Sequence, residues 1–171
     1  MFSMELKTIK PLNNIKTSVY DMNEYDNELD DGRSVISDIC ENFADTEKII
    51  FYVSGFGDKS WPVDCRFDLP IIIEQLPEIV SKINNKDYNF KLDFYEQGIE
   101  REIIFIDDAE VVNLECISRN GWVPEPSRIE IKKENISTIF QKFYEDFILF
   151  STVLCKNLVS HHLFKEWMVI K

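Results

Sequence analysis

The sequence predicts one α+β domain over residues 1–171, a mainly antiparallel sheet packed by two longer helices. Three observations carry that prediction. Short runs of β-branched and aromatic residues with two-residue alternation are joined by connections of hairpin length. Two longer stretches place apolar residues at helical spacing. The composition, 44% hydrophobic with 13 Phe but only 5 Gly and 6 Pro, is that of a packed chain and not of a disordered or fibrous one.

Along residues 1–20, the alternations of Met4, Leu6 and Ile9 and of Ile15 and Val19 flank the turn cluster Pro11-Leu12-Asn13-Asn14, which predicts one or two edge strands. From Asp21 to Asp31 the carboxylates Asp21, Glu24, Asp26, Glu28, Asp30 and Asp31 accumulate with no cation before Arg33. Such density of one sign predicts a solvated loop. Ser34 then introduces Val35, Ile36, Ile39, Cys40 and Phe43, a short helix over about 34–44.

Residues 48–54 read as a central strand closing on the turn Gly55-Phe56-Gly57-Asp58. Next, Ile72, Ile73, Leu76, Ile79, Val80 and Ile83 predict a helix over 69–83. Pro70 suits its first turn, and Pro77 is expected to kink or interrupt it. Strands follow at 89–95, 100–106 and 111–118, all expected to share one sheet with 48–54, and Ile129 and Ile131 suggest an edge strand. From Asn135, apolar positions at helical spacing through Ile136, Phe140, Phe143, Phe147, Leu154 and Leu158 predict a long helix over 135–158. A short helix or strand from Leu163 to Val169 ends the pattern.

Charge narrows the partners. Nineteen basic against 31 acidic groups leave a net −12, a field that repels nucleic acid phosphates and anionic lipid, so neither nucleic acid nor a membrane surface is an expected partner. The excess is uneven: residues 1–50 carry 5 basic and 11 acidic groups, residues 51–132 carry 9 and 16, and residues 133–171 carry 5 and 4. The acidity belongs to the amino-terminal and sheet portion, where it serves either recognition or solubility.

Chemical motifs are sparse. Cys40, Cys65, Cys116 and Cys155 are dispersed without metal-ligand spacing, so buried reduced thiols are expected, with no metal and no cofactor. Gly55-Phe56-Gly57 lacks the GK[ST] of a phosphate loop, and Asp58 opposes an anion there. Adjacent His161 and His162 point apart on regular structure and suit a helix end. Asp93, Glu96 and Glu100 surround a hairpin turn with Arg101, an arrangement expected to form a register-fixing ion pair. Trp61, Trp122 and Trp167 are expected to lack the cationic company that base-stacking proteins give their aromatics, which suits core filling or an interface better. No signal leader or membrane-length apolar run is evident, and the chain is expected in the cytoplasm.

The stretches Phe51-Tyr52-Val53-Ser54-Gly55-Phe56-Gly57, Trp61-Pro62-Val63-Asp64, Glu74-Gln75-Leu76-Pro77 and Asp93-Phe94-Tyr95-Glu96-Gln97-Gly98-Ile99-Glu100-Arg101 resemble those of immunity proteins from bacterial contact-dependent growth-inhibition and related polymorphic-toxin systems. The resemblance implies a non-catalytic cytosolic protein that binds and neutralises one cognate toxin domain, often a nuclease. It carries over no functional residue.

The acidity agrees in sign with that expectation, since a nuclease needs a basic surface toward which an acidic inhibitor is steered. The expected steering residues are Asp26, Glu28, Asp30 and Asp31 in one loop and Asp107, Asp108 and Glu110 in another, neither set being required for folding. Two alternatives stand beside this one: a small hydrolase using Asp64, Asp93 or Glu96, and an adaptor whose acidity only solubilises it.

Overall fold

The computed structural model describes residues 1–12, 24–26 and 28–169. Strands are β1 (Ser3–Thr8), β2 (Ile49–Ser54), β3 (Phe90–Phe94), β4 (Arg101–Asp108), β5 (Val111–Ser118) and β6 (Arg128–Lys132). Helices are α1 (Gly32–Thr46), α2 (Asp68–Asn84), α3 (Lys133–Leu154), α4 (Lys156–Ser160) and α5 (His162–Met168). The α+β class and the antiparallel pairing agree with the sequence reading.

The expected single sheet is in fact two. β3-β4-β5-β6 form a four-stranded antiparallel meander, whereas β2 pairs only with β1, with Ser3 opposite Ser54 and Thr8 opposite Ile49. Strand 48–54 is therefore a member of a two-stranded sheet, and the fourth place in the larger sheet belongs to the edge strand β6. Pairing partners are chosen by contacts distant in sequence, which local alternation does not encode. Ile15, Val19 and Asp21 lie outside the described residues.

The helix 135–158 also needs correction. α3 starts at Lys133 and stops at Leu154, where Cys155 leaves helical geometry at φ −130° and ψ 42°. Ser151 and Thr152 turn their hydroxyls onto the carbonyls of Phe147 and Ile148 just before the break, an arrangement that bends helices. The redirected chain then buries Leu158, Leu163 and Phe164. Pro77, by contrast, does not interrupt α2, which runs through it from Asp68 to Asn84. Burial of Ile72, Ile73, Leu76, Ile79, Val80 and Ile83 along that helix outweighs one lost backbone bond.

α3 joins the parts through one row of phenylalanines. Phe140 meets Phe90 and Phe105 of the four-stranded sheet at ring-centroid distances of 5.4 and 5.6 Å. Phe143 meets Phe51 of β2 at 5.6 Å, and Phe147 meets Phe43 of α1 at 5.9 Å and Phe164 of α5 at 6.5 Å. A single amphipathic stripe thus packs against both sheets and two helices. Among the described residues, no helix is long and apolar enough to cross a membrane.

Candidate functional site

At one end of the four-stranded sheet three loops converge on Arg101, the first residue of β4. They are the turn 55–60 after β2, the turn 95–100 between β3 and β4, and the segment 119–127 between β5 and β6. The first two overlap the stretches 51–57 and 93–101 singled out in the sequence, and all three lie far apart along the chain.

The guanidinium of Arg101 lies 3.5 Å from the ring centre of Trp122 and 4.4 Å from that of Trp61, so the cation is held between two indoles. Both terminal nitrogens reach the same oxygen of Asp58, Oδ2, at 3.4 Å. The Arg101 side chain is 4% exposed, and its Nε–H has no acceptor among the described residues. Burial pulls this guanidinium below its ordinary pKa, and the negative Asp58 acts the other way. The expectation that the tryptophans lack cationic company is therefore overturned for Trp61 and Trp122. Arg101 is distant from both in sequence and arrives by strand pairing.

Backbone contacts fasten the loops around this centre. Gly55, Phe56 and Gly57 have φ of +142°, +55° and +91°. A side chain on Gly57 would place Cβ 2.2 Å from the Glu125 carbonyl oxygen, so glycine is required by close approach as well as by backbone angle. Glu125 N–H donates to the Phe56 carbonyl at 3.0 Å, and Trp61 Nε1–H donates to the Gly55 carbonyl at 3.2 Å. Asn120 Nδ2 donates to the carbonyls of Gly98 and Ile99 at 3.1 and 2.8 Å, while its Oδ1 accepts from Trp122 N–H at 3.0 Å. The irregular segment 119–127 is thereby held in place on two sides. Its tip, Val123, is 76% exposed.

The expected ion pair of the β3–β4 hairpin is redistributed. Arg101 takes Asp58, and Asp93 is paired with Arg119 instead. Asp64 is also engaged: its Oδ1 accepts from the amides of Arg66 and Phe67, and Asp68 Oδ2 accepts from Asp64 N–H at 2.8 Å. That reciprocal arrangement secures the approach to α2 in the manner of a capping box. Burial raises the Asp68 carboxyl to about 6, opposed by its bond from Asp64. A groove of about 800 Å³ lies elsewhere, along α2 and β3, and is lined by Arg33, Glu74, Glu78, Lys82, Lys91 and Trp167. It contains none of the three carboxylates considered for hydrolysis.

The seven carboxylates expected to steer a partner divide into two kinds. Asp31 caps α1, accepting from Arg33 N–H at 2.8 Å and pairing with the Arg33 side chain. Asp107 pairs with Lys133 at 2.5 Å, linking the end of β4 to the start of α3; it and Asp108 belong to β4, where they pair with Val112 and Val111, and not to the expected loop. Asp31 and Asp107 have structural tasks, contrary to the expectation that neither acidic set matters for folding. Asp26 and Asp30 make only local loop bonds, and Asp108 accepts from Asn113 Nδ2 at 3.0 Å. Asp26, Glu28, Asp30, Asp108 and Glu110 have no cationic partner among the described residues. The loop bearing the first three is anchored by Tyr25, which donates to Asp38 at 2.5 Å and whose ring centre lies 4.9 Å from that of His161, the two rings tilted by 55°. His161 in turn caps α5.

No protein-family model, no curated protein and no solved structure matches this chain.

Proposed function

We propose that this chain is an acidic, non-catalytic immunity protein that binds and neutralises a basic cognate toxin domain, in keeping with a nuclease target. The observation that carries the reading is the set of uncompensated carboxylates on a net −12 chain. Five of the seven carboxylates, Asp26, Glu28, Asp30, Asp108 and Glu110, have no cation beside them among the described residues and so project their charge outward. Fields of this kind raise encounter rates with a basic surface by roughly 10- to 1,000-fold, and the gain falls with salt. For an inhibitor that must reach its toxin before damage occurs, association rate is the useful quantity.

The test uses the carboxyl-terminal domain of the protein encoded immediately upstream of this chain. Co-expression of the chain is expected to restore growth to cells producing that domain, and purified chain should bind it with an association rate that falls steeply as salt rises. Replacing Asp26, Glu28 and Asp30 with Asn or Gln should slow association while leaving much of the affinity. Absence of both rescue and binding overturns the immunity reading. Binding with salt-insensitive association overturns its electrostatic part.

A further inference from the structure

We infer that the free edge of β6 pairs antiparallel with the same edge of a second copy of this chain, Arg128 of one copy lying opposite Glu130 of the other, so that two four-stranded sheets join into one.

The backbone determines which groups are open. Cys116 N–H donates to the Ser127 carbonyl at 2.9 Å, and Lys133 N–H donates to the Glu110 carbonyl at 3.4 Å, so the odd-numbered residues of this segment turn their main-chain groups toward β5. Along an antiparallel strand these groups alternate from side to side, and those of Arg128 and Glu130 therefore point away from β5. Neither residue's N–H or C=O has a partner among the described residues. The opposite edge of the sheet differs: at β3 the side chain of Gln75 bonds both the N–H and the carbonyl of Asp93. One edge is closed, and the other is left as a template for a strand.

Charge selects the strand that fits. The side chains of Arg128 and Glu130 are both exposed and share one face of the sheet. Against an arbitrary strand such charges hinder pairing. Against a second copy the outcome depends on where the two-fold axis falls. An axis through Glu130 sets Glu130 against Glu130 and Arg128 against Lys132, all like charges. An axis through Ile131 sets Glu130 against Lys132, but Lys132 is the N-cap of α3 and its carbonyl is already committed to the helix.

An axis through Ile129 has neither fault. Arg128 then faces Glu130 on both sides of the axis, and every open N–H and C=O of these two residues meets its complement. Glu130, which has no cation beside it among the described residues, gains one. Arg128 is 75% exposed and holds Glu115 at 3.0 Å, with guanidinium donors left for a second carboxylate. Ile129 is only partly buried and meets its own copy at the axis, where side chains of a non-hydrogen-bonded pair come closest. With the β3 edge closed, the pairing ends at two copies.

Sedimentation of the full chain from about 10 μM to about 1 mM, in salt that screens repulsion between two net −12 chains, should show a monomer–dimer equilibrium. One strand edge buries little surface, so the dimer belongs with weak interfaces. Arg128→Glu and Glu130→Arg each set like charges opposite on both sides of the axis and are expected to weaken dimerisation by about tenfold or more. The double variant with both changes restores opposite charges and should recover the wild-type equilibrium to within about threefold. Residue-resolved hydrogen exchange should slow at the Arg128 and Glu130 amides as concentration rises, while Ile129 and Ile131, already facing β5, stay unchanged.

A chain that remains monomeric to about 1 mM, single variants that dimerise as wild type does, or a double variant that recovers nothing overturns the pairing. So does a monomer whose Arg128 and Glu130 amides gain protection only when the domain encoded immediately upstream is added, which would give the edge to that domain. Assemblies larger than a dimer overturn closure at a single edge.

Discussion

Gln75 of α2 substitutes for a neighbouring strand along the free edge of β3: its Oε1 accepts from the Asp93 N–H at 2.9 Å, and its Nε2 donates to the Asp93 carbonyl at 2.9 Å. The same Nε2 also donates to the Ile71 carbonyl at 2.7 Å, which fixes the amide orientation. An exposed strand edge is a template for unwanted pairing, and a side-chain amide that occupies its donor and acceptor closes it. Gln75→Ala should therefore lower stability by about 1–3 kcal/mol, through two backbone groups left without partners, and should increase concentration-dependent aggregation. Urea unfolding and light scattering measure the two effects, and a variant equal to wild type in both would remove the edge-closing role.

Removal of the Phe143 ring tests the stripe on α3. This residue is 1% exposed and meets Phe51 of the smaller sheet. Phe143→Ala is expected to cost about 3–5 kcal/mol, read as a shift in denaturant midpoint. Midpoint and slope both matching wild type would contradict the burial.

Arg101 and Asp58 should not be equivalent on substitution. Arg101→Ala removes the cation, its stack between two indoles and the packing of its stem, with an expected loss of about 3–5 kcal/mol. Asp58→Asn keeps an oxygen acceptor but removes the only counter-charge of the buried guanidinium among the described residues, so it should cost less, about 2 kcal/mol. Tryptophan fluorescence should shift strongly in the first variant and little in the second. Equal losses would mean that the ion pair, and not the indole sandwich, holds the site.

The Asp68 carboxyl has a definite signature with pH. Its folded value, about 6, lies above the ordinary 3.8. The folded chain therefore holds a proton that the unfolded chain has released between those values, and this group's contribution to stability falls as pH rises from about 4 to about 6. Asp68→Asn keeps an acceptor for Asp64 N–H and removes the titration. The stability of wild type relative to this variant should decline over that window and level off above it. A difference that stays flat with pH would show an unperturbed carboxyl.

The four cysteines are free, buried thiols. Burial pushes Cys65 and Cys155 up to about 12 and Cys116 up to about 11, and holds Cys40 well above its usual range. All four should resist a thiol reagent in the native state and react together on unfolding, with mass spectrometry of the non-reduced chain finding no internal disulfide. Rapid native labelling of any one of them would contradict its burial.

Much of the architecture was legible from periodicity, because each element must bury one face and so writes its own repeat into the chain. The alternation of Phe90, Leu92 and Phe94, the strand at 111–118 and the stripe of Phe140, Phe143 and Phe147 all specify local structure and the side that faces inward. Net charge and the dispersal of the cysteines were likewise properties of the sequence alone. What periodicity does not contain is the choice of partner. Whether β2 joins the larger sheet or pairs with β1, whether Pro77 ends a helix or is carried through it, and where α3 turns at Cys155 are settled by packing energies summed over distant contacts. The Arg101 site belongs to that second class. Its cation, its two indoles, Asp58 and the glycine that admits Glu125 come from three separate segments, each of which reads by itself as a turn, a strand end or an irregular loop. Only the closing of the tertiary structure brings the two indole centres to 3.5 and 4.4 Å and Asp58 to 3.4 Å from the guanidinium, because burying that cation requires aromatic faces and a carboxylate to surround it at once.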